Sequence, residues 1–387
     1  MRPDVVRAGL LVLAAVASGW IGWSGHVLLL PATLAFPLLW SIAPSRMTAA
    51  LVSAGYFLAA SRGLPLGVAT YYASNIWPGV ALWFVAASGF IAVHVALWSR
   101  AGTWRAVRYL VAAILMAVPP FGITGWAHPI TAAGVLFSGW GWLGLAAMTA
   151  GLMGLVTRRG PAVAIALSGI WLWSAASWTD PKVPEAWRGA DLAMGVSLGR
   201  DTGLSRQRDL IVTVQRAEAA GARVIVLPES ALGFWTPTVA RLWERAMRAG
   251  DVTVIAGAVV VDAEGYDNVL VAIDRTGSHV LYRERMPVPG SMWQPWRSWF
   301  GLSGGARAHL FTNPAVDVGA TRVAPLICYE QLVVWPVLQS MARSPDLVVA
   351  IGNGWWTAGT SIVGIQRASA VAWAALFAKP LVLSFNT

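Results

Sequence analysis

The first 178 residues consist of long apolar stretches without charged residues, separated by short segments that carry arginine. A helix needs about 20 apolar residues to cross a bilayer. The two longest stretches, 8–45 and 109–157, can each hold two such helices because a short polar turn divides each of them. The pattern therefore predicts seven membrane-spanning helices, at 8–24, 27–43, 47–61, 78–98, 107–126, 136–157 and 161–178.

After residue 178 the pattern changes to short apolar strands that alternate with amphipathic helices. Alternation around a block of consecutive strands predicts a mixed sheet covered by helices. The predicted strands lie at 192–198, 223–227, 252–260, 267–274, 278–282, 321–327, 346–351 and 380–385, and the helices at 203–220, 236–249, 331–342 and 361–378. Residues 283–310 form a predicted long loop, and loops of this length are usually functional. The domains expected are a membrane domain at 1–178, a linker at 179–190 and an α/β domain at 191–387.

Charge supports this division and suggests an orientation. The chain is 57% hydrophobic and 12% charged, with a net charge of +10. With the N-terminus in the cytoplasm, eight arginines lie on the cytoplasmic side and only Arg62 lies on the other, which is a strong positive-inside bias. Residues 179–387 then lie in the periplasm, behind the inner membrane of a Gram-negative cell. Topology accounts for the basic excess, so no direct nucleic-acid binding is expected. The eight cytoplasmic residues are Arg2, Arg7, Arg46, Arg100, Arg105, Arg108, Arg158 and Arg159.

Three motifs follow predicted strands, where the sites of open α/β sheets form. Glu229 follows strand 223–227, Cys328 lies between strand 321–327 and a helix, and Arg283-Glu284-Arg285 follows strand 278–282. The positive end of a helix dipole favours the thiolate of a cysteine at such a junction. Glu229 is then a candidate general base for Cys328 and a later proton donor to the leaving group. The alternative is an inert core thiol and a helix-capping carboxylate.

The lone cysteine excludes disulfides within the chain, and the histidines lack ligand spacing, so neither a metal nor a cofactor is expected. The predicted spans contain no ionisable group of note besides His94. Because intramembrane charges usually mark transport pathways, a channel or a pump is disfavoured.

Taken together, the motifs resemble the carbon–nitrogen hydrolase (nitrilase) superfamily, and with the preceding spans the apolipoprotein N-acyltransferases in particular. The resemblance covers nearly the whole chain and rests on Pro228-Glu229-Ser230, Val288-Pro289, Cys328-Tyr329-Glu330 and Asn353-Gly354-Trp355-Trp356. Residues 286–296 are closer still to conjugal transfer proteins of Ti-type plasmids. The fold implied is an αββα sandwich behind about seven membrane helices, truncated at its C-terminus relative to the acyltransferases.

The resemblance also implies the chemistry. Glu229 would be the general base and Cys328 the nucleophile, and the acyl group would pass from a phospholipid to an amine of a protein or peptide. Arg283 or Arg285 would attract the phosphate or would lie opposite the developing oxyanion and stabilise its charge. Glu330 would support the nucleophile's turn, beside Tyr329, Asn353 and Trp356.

The sequence departs from the family at one catalytic position. Counting from Tyr282 and from Val288-Pro289, the family lysine falls at Glu284, and Met292 replaces a further acidic residue. An anion at position 284 would oppose both thiolate formation and oxyanion stabilisation. Two hypotheses follow: a working or modified acyltransferase or amidase, or a pseudoenzyme that serves as a membrane component of the conjugation machinery.

Overall fold

The structure, a computed structural model, describes residues 3–102, 104–124, 126–195 and 203–387. The chain forms two compact units. The first comprises the chain up to Pro181 with Leu332–Trp335 and Gly359–Ala378, and the second comprises Lys182–Gln331, Pro336–Ala358 and Lys379–Thr387. Two segments that the sequence placed in the α/β domain therefore belong to the first unit.

The first unit is helical throughout the residues described. Its α-helices are α1 (Pro3–Gly22), α2 (Ala35–Ser41), α3 (Arg46–Ala60), α4 (Leu64–Tyr71), α5 (Trp77–Leu97), α6 (Arg105–Ala117), α7 (Ala133–Leu136), α8 (Gly141–Leu155), α9 (Gly160–Ala176) and, from the far end of the chain, α13 (Ile362–Leu376). Three 3₁₀ helices join them, at Val27–Leu34, Phe121–Ile123 and Pro129–Ala132.

Helix α13 joins this unit through a close backbone contact with α7. A Cβ atom on Gly134 would lie 1.9 Å from the carbonyl oxygen of Ala372, so only glycine permits the approach. Small residues allow helices to pack this closely.

Fewer helices than predicted are long enough to cross a membrane. In the described part of the chain, α1 from Asp4 and α5 have the necessary length and hydropathy, and α3 with α4 would count as a third span bent by 46°. The apolar helices Val27–Ser41, Gly141–Leu155, Gly160–Ala176 and Ile362–Leu376 are shorter. The seven-span count is therefore not confirmed. Arg2, one of the arginines behind the predicted orientation, lies outside the described residues.

The second unit contains two mixed β-sheets. Its strands are β1 (Trp187–Gly189), β2 (Val224–Val226), β3 (Thr253–Val261), β4 (Tyr266–Asp274), β5 (Gly277–Arg283), β6 (Val316–Val318), β7 (Thr321–Ile327), β8 (Leu347–Asn353) and β9 (Leu381–Asn386). Sheet order is β1-β2-β3-β4-β5 and β6-β7-β8-β9. Neighbours pair in parallel, except β3 with β4, β4 with β5 and β6 with β7. Its α-helices are α10 (Leu204–Ala219), α11 (Pro237–Met247) and α12 (Val334–Met341), the last shared with the first unit, and its 3₁₀ helices are Pro295–Phe300, Cys328–Gln331 and Trp355–Thr357.

Residue alternation along the strands explains the layers. Successive side chains of a strand point to opposite faces of the sheet. On β3, Val254 and Ala256 pack in a core with α10 and α11, whereas Ile255 packs in the core between the two sheets. On β4, Val269 packs in the core with the helices, and Leu270 packs in the core between the two sheets. Helices therefore cover one face of the first sheet and the second sheet covers the other, as a sandwich requires.

Most predicted strands are confirmed to within a few residues, and two predictions need correction. For the strand at 192–198, Leu192 forms a single bridge with Asn386, and residues 196–198 lie outside the described residues. The predicted loop 283–310 is not wholly irregular, because it contains the 3₁₀ helix Pro295–Phe300.

Gly257 on β3 lies directly beneath the turn that carries Glu229. A Cβ atom at this position would lie 2.5 Å from the Glu229 Cα and 2.6 Å from both the Pro228 carbonyl oxygen and the Ser230 nitrogen. These are backbone atoms, so the turn itself would have to move.

We therefore expect Gly257→Ala to destabilise the second unit by about 1–3 kcal/mol, the usual cost of overpacking. Gly203→Ala is the control, because a Cβ there meets only the Ser205 Oγ, at 3.8 Å. Thermal unfolding of the full chain measures both. Equal melting temperatures for the two variants would contradict the predicted crowding.

Candidate active site

Cys328 lies at a strained turn immediately after β7. Its φ angle is +46°, a left-handed conformation that residues other than glycine rarely adopt, and its side chain is buried. Such strain persists only where the surrounding structure holds it, and it concentrates at functional sites. Here Glu330 Oε2 accepts a hydrogen bond of 2.7 Å from the Ile327 main-chain N–H, and Gln331 Nε2 donates one of 2.7 Å to the Ile351 carbonyl oxygen.

Glu229 follows β2 in the turn above Gly257 and is buried. Its carboxyl group accepts hydrogen bonds from the Cys328 side chain and from the Asn353 main chain. Its Oε1 also accepts one of 2.8 Å from Asn268 Nδ2. The structure thus brings together the predicted base and the predicted nucleophile, which are distant in sequence.

Strand alternation places Glu284 and Asn268 on the same inner face. Leu270 and Tyr282 pair across β4 and β5 and both pack between the sheets. Asn268 lies two residues before Leu270, and Glu284 lies two residues after Tyr282, just beyond the end of β5. The Glu284 N–H donates to the Asn268 carbonyl oxygen at 2.9 Å. Asn268 Nδ2 also donates to Glu284 Oε2 at 2.9 Å, so one amide bridges Glu229 and Glu284.

Burial and like charge control the protonation of this pair. Burial raises the pKa of Glu229 to about 7, and the charge of Glu330 adds to the rise, while hydrogen bonds from Asn268, Cys328 and the Asn353 main chain oppose it. Burial, followed by the charges of Glu229 and Glu330, raises the pKa of Glu284 well above its ordinary value. Both shifts favour the protonated acid, and Glu229, with a pKa of about 7, is close to half ionised at neutral pH.

Arg285 does not have the role expected for it. It is fully buried, and its guanidinium donates to Tyr282 Oη, the Pro336 and Pro325 carbonyl oxygens, Gln339 Oε1 and Ser340 Oγ. Its Nε lies 3.6 Å from Glu330 Oε1. Since all five guanidinium hydrogens are engaged, Arg285 cannot turn toward a phosphate or an oxyanion without breaking these bonds.

Arg283 is also engaged away from the nucleophile. It points to the other face of β5 and forms an ion pair with Asp267, and 36% of its side chain is exposed. Arg307 Nε and His309 Nε2 also contact Asp267, and each lies 2.9 Å from its Oδ1. The group therefore ties the end of the 283–310 segment to β4, and the expected contact of Arg283 with phosphate or oxyanion finds no support.

The remaining predicted residues lie around Glu229 and Cys328. Tyr329 is buried, and burial raises the pKa of its hydroxyl. Asn353 contacts Glu229 through its main chain, and its Oδ1 accepts a hydrogen bond of 2.8 Å from Asn386 Nδ2. Trp356 Nε1 donates to the Asn353 carbonyl oxygen at 3.0 Å. These contacts fix the end of β8 beside the site.

Asn268 was not predicted from the sequence. The available signal was the polar pair Asp267-Asn268 within the strand prediction 267–274, at positions where an apolar residue would be expected. Both residues are buried, and a buried amide usually has a specific hydrogen-bonding role.

Comparison with known proteins identifies the family. A model of the carbon–nitrogen hydrolase family matches residues 58–375, most of the chain. The chain belongs to the carbon–nitrogen hydrolase family. The nitrilase-like sandwich of its second unit is thus the family's fold.

Close relatives of this carbon–nitrogen hydrolase carry names from plasmid transfer. It is 65% identical over 387 residues to the probable conjugal transfer protein TraB of Sinorhizobium fredii, covering 100% of both chains. It is 59% identical over 395 residues to the conjugal transfer protein TraB of Agrobacterium fabrum, covering 99% of this chain and 94% of that one. A solved amidase of the nitrilase superfamily from Nesterenkonia matches with a TM-score of 0.38 and 16% identity, covering 54% of this chain and 79% of that one.

The raised pKa of Glu284 makes stability depend on pH. Between the ordinary value of 4.5 and the raised one, the folded protein holds a proton that the unfolded chain releases, so the free energy of unfolding falls as pH rises. Glu284→Gln removes this group. We expect the variant to gain stability relative to the wild type as the pH rises from about 5 to about 8, because it lacks the group whose pKa is raised in the fold.

Denaturant unfolding at the two pH values measures this difference. Glu264→Gln is the matched control, because Glu264 is exposed. A Glu284→Gln variant whose stability relative to the wild type is the same at both pH values would show that Glu284 is not protonated in the fold.

Proposed function

We propose that this carbon–nitrogen hydrolase transfers an acyl group through a thioester on Cys328, with Glu229 as general base. The observation that carries the proposal is the hydrogen bond between the Cys328 side chain and the Glu229 carboxyl group. A general base is most effective when its pKa lies near the working pH, and the pKa of Glu229 is about 7.

The proposed steps balance. Glu229 takes the thiol proton while Cys328 Sγ bonds to the acyl carbon, and it returns that proton to the leaving group as the acyl–oxygen bond breaks. An amine then attacks the thioester and gives a proton to Glu229. The carbon–sulfur bond breaks, and the departing thiolate recovers the proton from Glu229.

We propose a phospholipid as the acyl donor and an amine of a protein or peptide as the acceptor. Support comes from the first unit, whose helices direct apolar side chains outward. Leu13, Val85, Leu143, Ile165 and Leu172 each expose more than half of their surface. Apolar surface of this extent marks a partner such as a bilayer. With these helices in the inner membrane, a lipid donor would react while its acyl chains stay in the bilayer.

A second candidate is a non-catalytic membrane component of the conjugation machinery. It is favoured by Glu284 at the position expected for lysine and by the engagement of both Arg283 and Arg285 elsewhere. The names of the relatives agree with this role but equally with an enzyme that serves conjugation. The two candidates differ in whether Cys328 becomes acylated.

Purified protein incubated with phospholipid labelled in its acyl chains should form a thioester on Cys328, detected by mass spectrometry of the peptide. Cys328→Ala should form none. Glu229→Gln should acylate about 100- to 10,000-fold more slowly, because it removes general-base catalysis.

Glu185→Gln is the matched control and should acylate at the wild-type rate, since Glu185 is exposed. If the wild type forms no adduct and Cys328→Ala supports plasmid transfer at the normal frequency, the enzymatic proposal fails and the second candidate replaces it.

We further propose seven spans, with residues 179–387 in the periplasm. Alkaline phosphatase is active only outside the cytoplasm, so a fusion after Trp178 should be active in a Gram-negative host. A fusion after Arg100, in a predicted cytoplasmic segment, should be inactive and serves as the control. An inactive fusion at Trp178 would contradict the odd number of crossings.

A further inference from the structure

Glu284 has one carboxyl oxygen with a hydrogen bond and one without. Oε2 accepts from Asn268 Nδ2, whereas Oε1 is buried and has no hydrogen-bond partner among the described residues. Leaving a buried polar atom unpaired costs free energy, so each such atom calls for a specific explanation. This one lies in a side chain that shares Asn268 with the proposed base.

The charged groups that face Glu284 come from two other elements. Glu229 follows β2 and Glu330 follows β7, and both disfavour a second negative charge. Arg285, the next residue in the chain, directs its guanidinium to Glu330 and Tyr282. Burial and these like charges therefore favour the protonated carboxyl group. Because Oε2 accepts from Asn268, the proton belongs on Oε1, where it forms an unused donor.

We propose that Glu284, as a neutral carboxylic acid, donates this Oε1–H to the oxyanion that forms when Cys328 attacks the substrate carbonyl. The inference deepens the proposed function and rests on it. Carboxylic acids that burial keeps protonated serve as oxyanion donors in other enzymes. Glu284 would thus replace the missing lysine by a donor that carries no charge.

The step conserves protons and electrons. As the carbon–sulfur bond forms, the π electrons of the carbonyl move to its oxygen, and the thiol proton moves to Glu229. The Glu284 proton stays on Oε1 and only forms a hydrogen bond to the oxyanion. When the carbonyl re-forms, the leaving group takes the proton from Glu229, and Glu284 is unchanged.

Two reactions of the same thiol separate this role from a structural one. Para-nitrophenyl butyrate acylates Cys328 through an oxyanion, whereas iodoacetamide alkylates it without one. At pH 7 we expect Glu284→Met to acylate about 100- to 1,000-fold more slowly than the wild type, the usual effect of losing one oxyanion donor. Alkylation should change only a few-fold. Glu284→Gln retains a neutral N–H donor and should keep most of the acylation rate.

The pH profile gives a second readout. Acylation of the wild type should decline at alkaline pH as Glu284 loses its proton, and this decline should be absent in Glu284→Gln. Undiminished acylation of Glu284→Met, equal losses in acylation and alkylation, or the same alkaline decline in Glu284→Gln would each overturn the inference while leaving Cys328 the nucleophile. A wild type that forms no acyl adduct would overturn the proposed function as well.

Discussion

Three carboxyl groups are buried around the nucleophile, and an isolated buried carboxylate is very costly. Each of the three meets this constraint in a different way. Glu330 has Arg285 as a counter-ion and accepts hydrogen bonds from Tyr282 Oη and from main-chain N–H groups. For Glu284, burial and its like-charged neighbours raise the pKa well above the ordinary value, which favours the neutral acid. Glu229 lies between these extremes, with a pKa raised to about 7, which is the range in which the general base that we propose would be most effective.

The same constraint explains why a fully engaged arginine lies so close to the site. Arg285 compensates the charge of Glu330, and Glu330 in turn holds the N–H of Ile327 at the end of β7. Cys328 follows at once, in a left-handed conformation. The cation therefore helps to hold the strained turn of Cys328 through Glu330, and its guanidinium hydrogens are all engaged within the fold.

The sequence match to the relatives includes both units of the chain. The match to the Sinorhizobium fredii protein extends over the whole of both chains, so the apolar helical unit accompanies the sandwich in both proteins. We propose a lipid substrate because the same chain carries the family's sandwich and helices with outward apolar side chains. For this reason we favour phospholipid over a small soluble amide as the proposed acyl donor.

The sequence by itself determined most of the strands and their approximate ends, because two-residue alternation and strand-terminal polar residues are local signals. It did not predict the three-residue strands β1, which lies in the predicted linker 179–190, and β6. It also singled out Glu229, Cys328 and Glu284, which the fold brings into one hydrogen-bonded group. It did not identify Asn268 as the bridge between two carboxyl groups, and it assigned Arg283 and Arg285 roles that their contacts do not support. Which side chains meet across β4 and β5 depends on strand register, and register is a property of the assembled sheet.

The same distinction applies to the helices. Hydropathy located apolar segments correctly, but it could not show that α13 packs against α7 through Gly134, since that contact joins residues far apart in the chain. Local pattern therefore decided the elements, and long-range packing decided which charges are paired and which glutamates have raised pKa values.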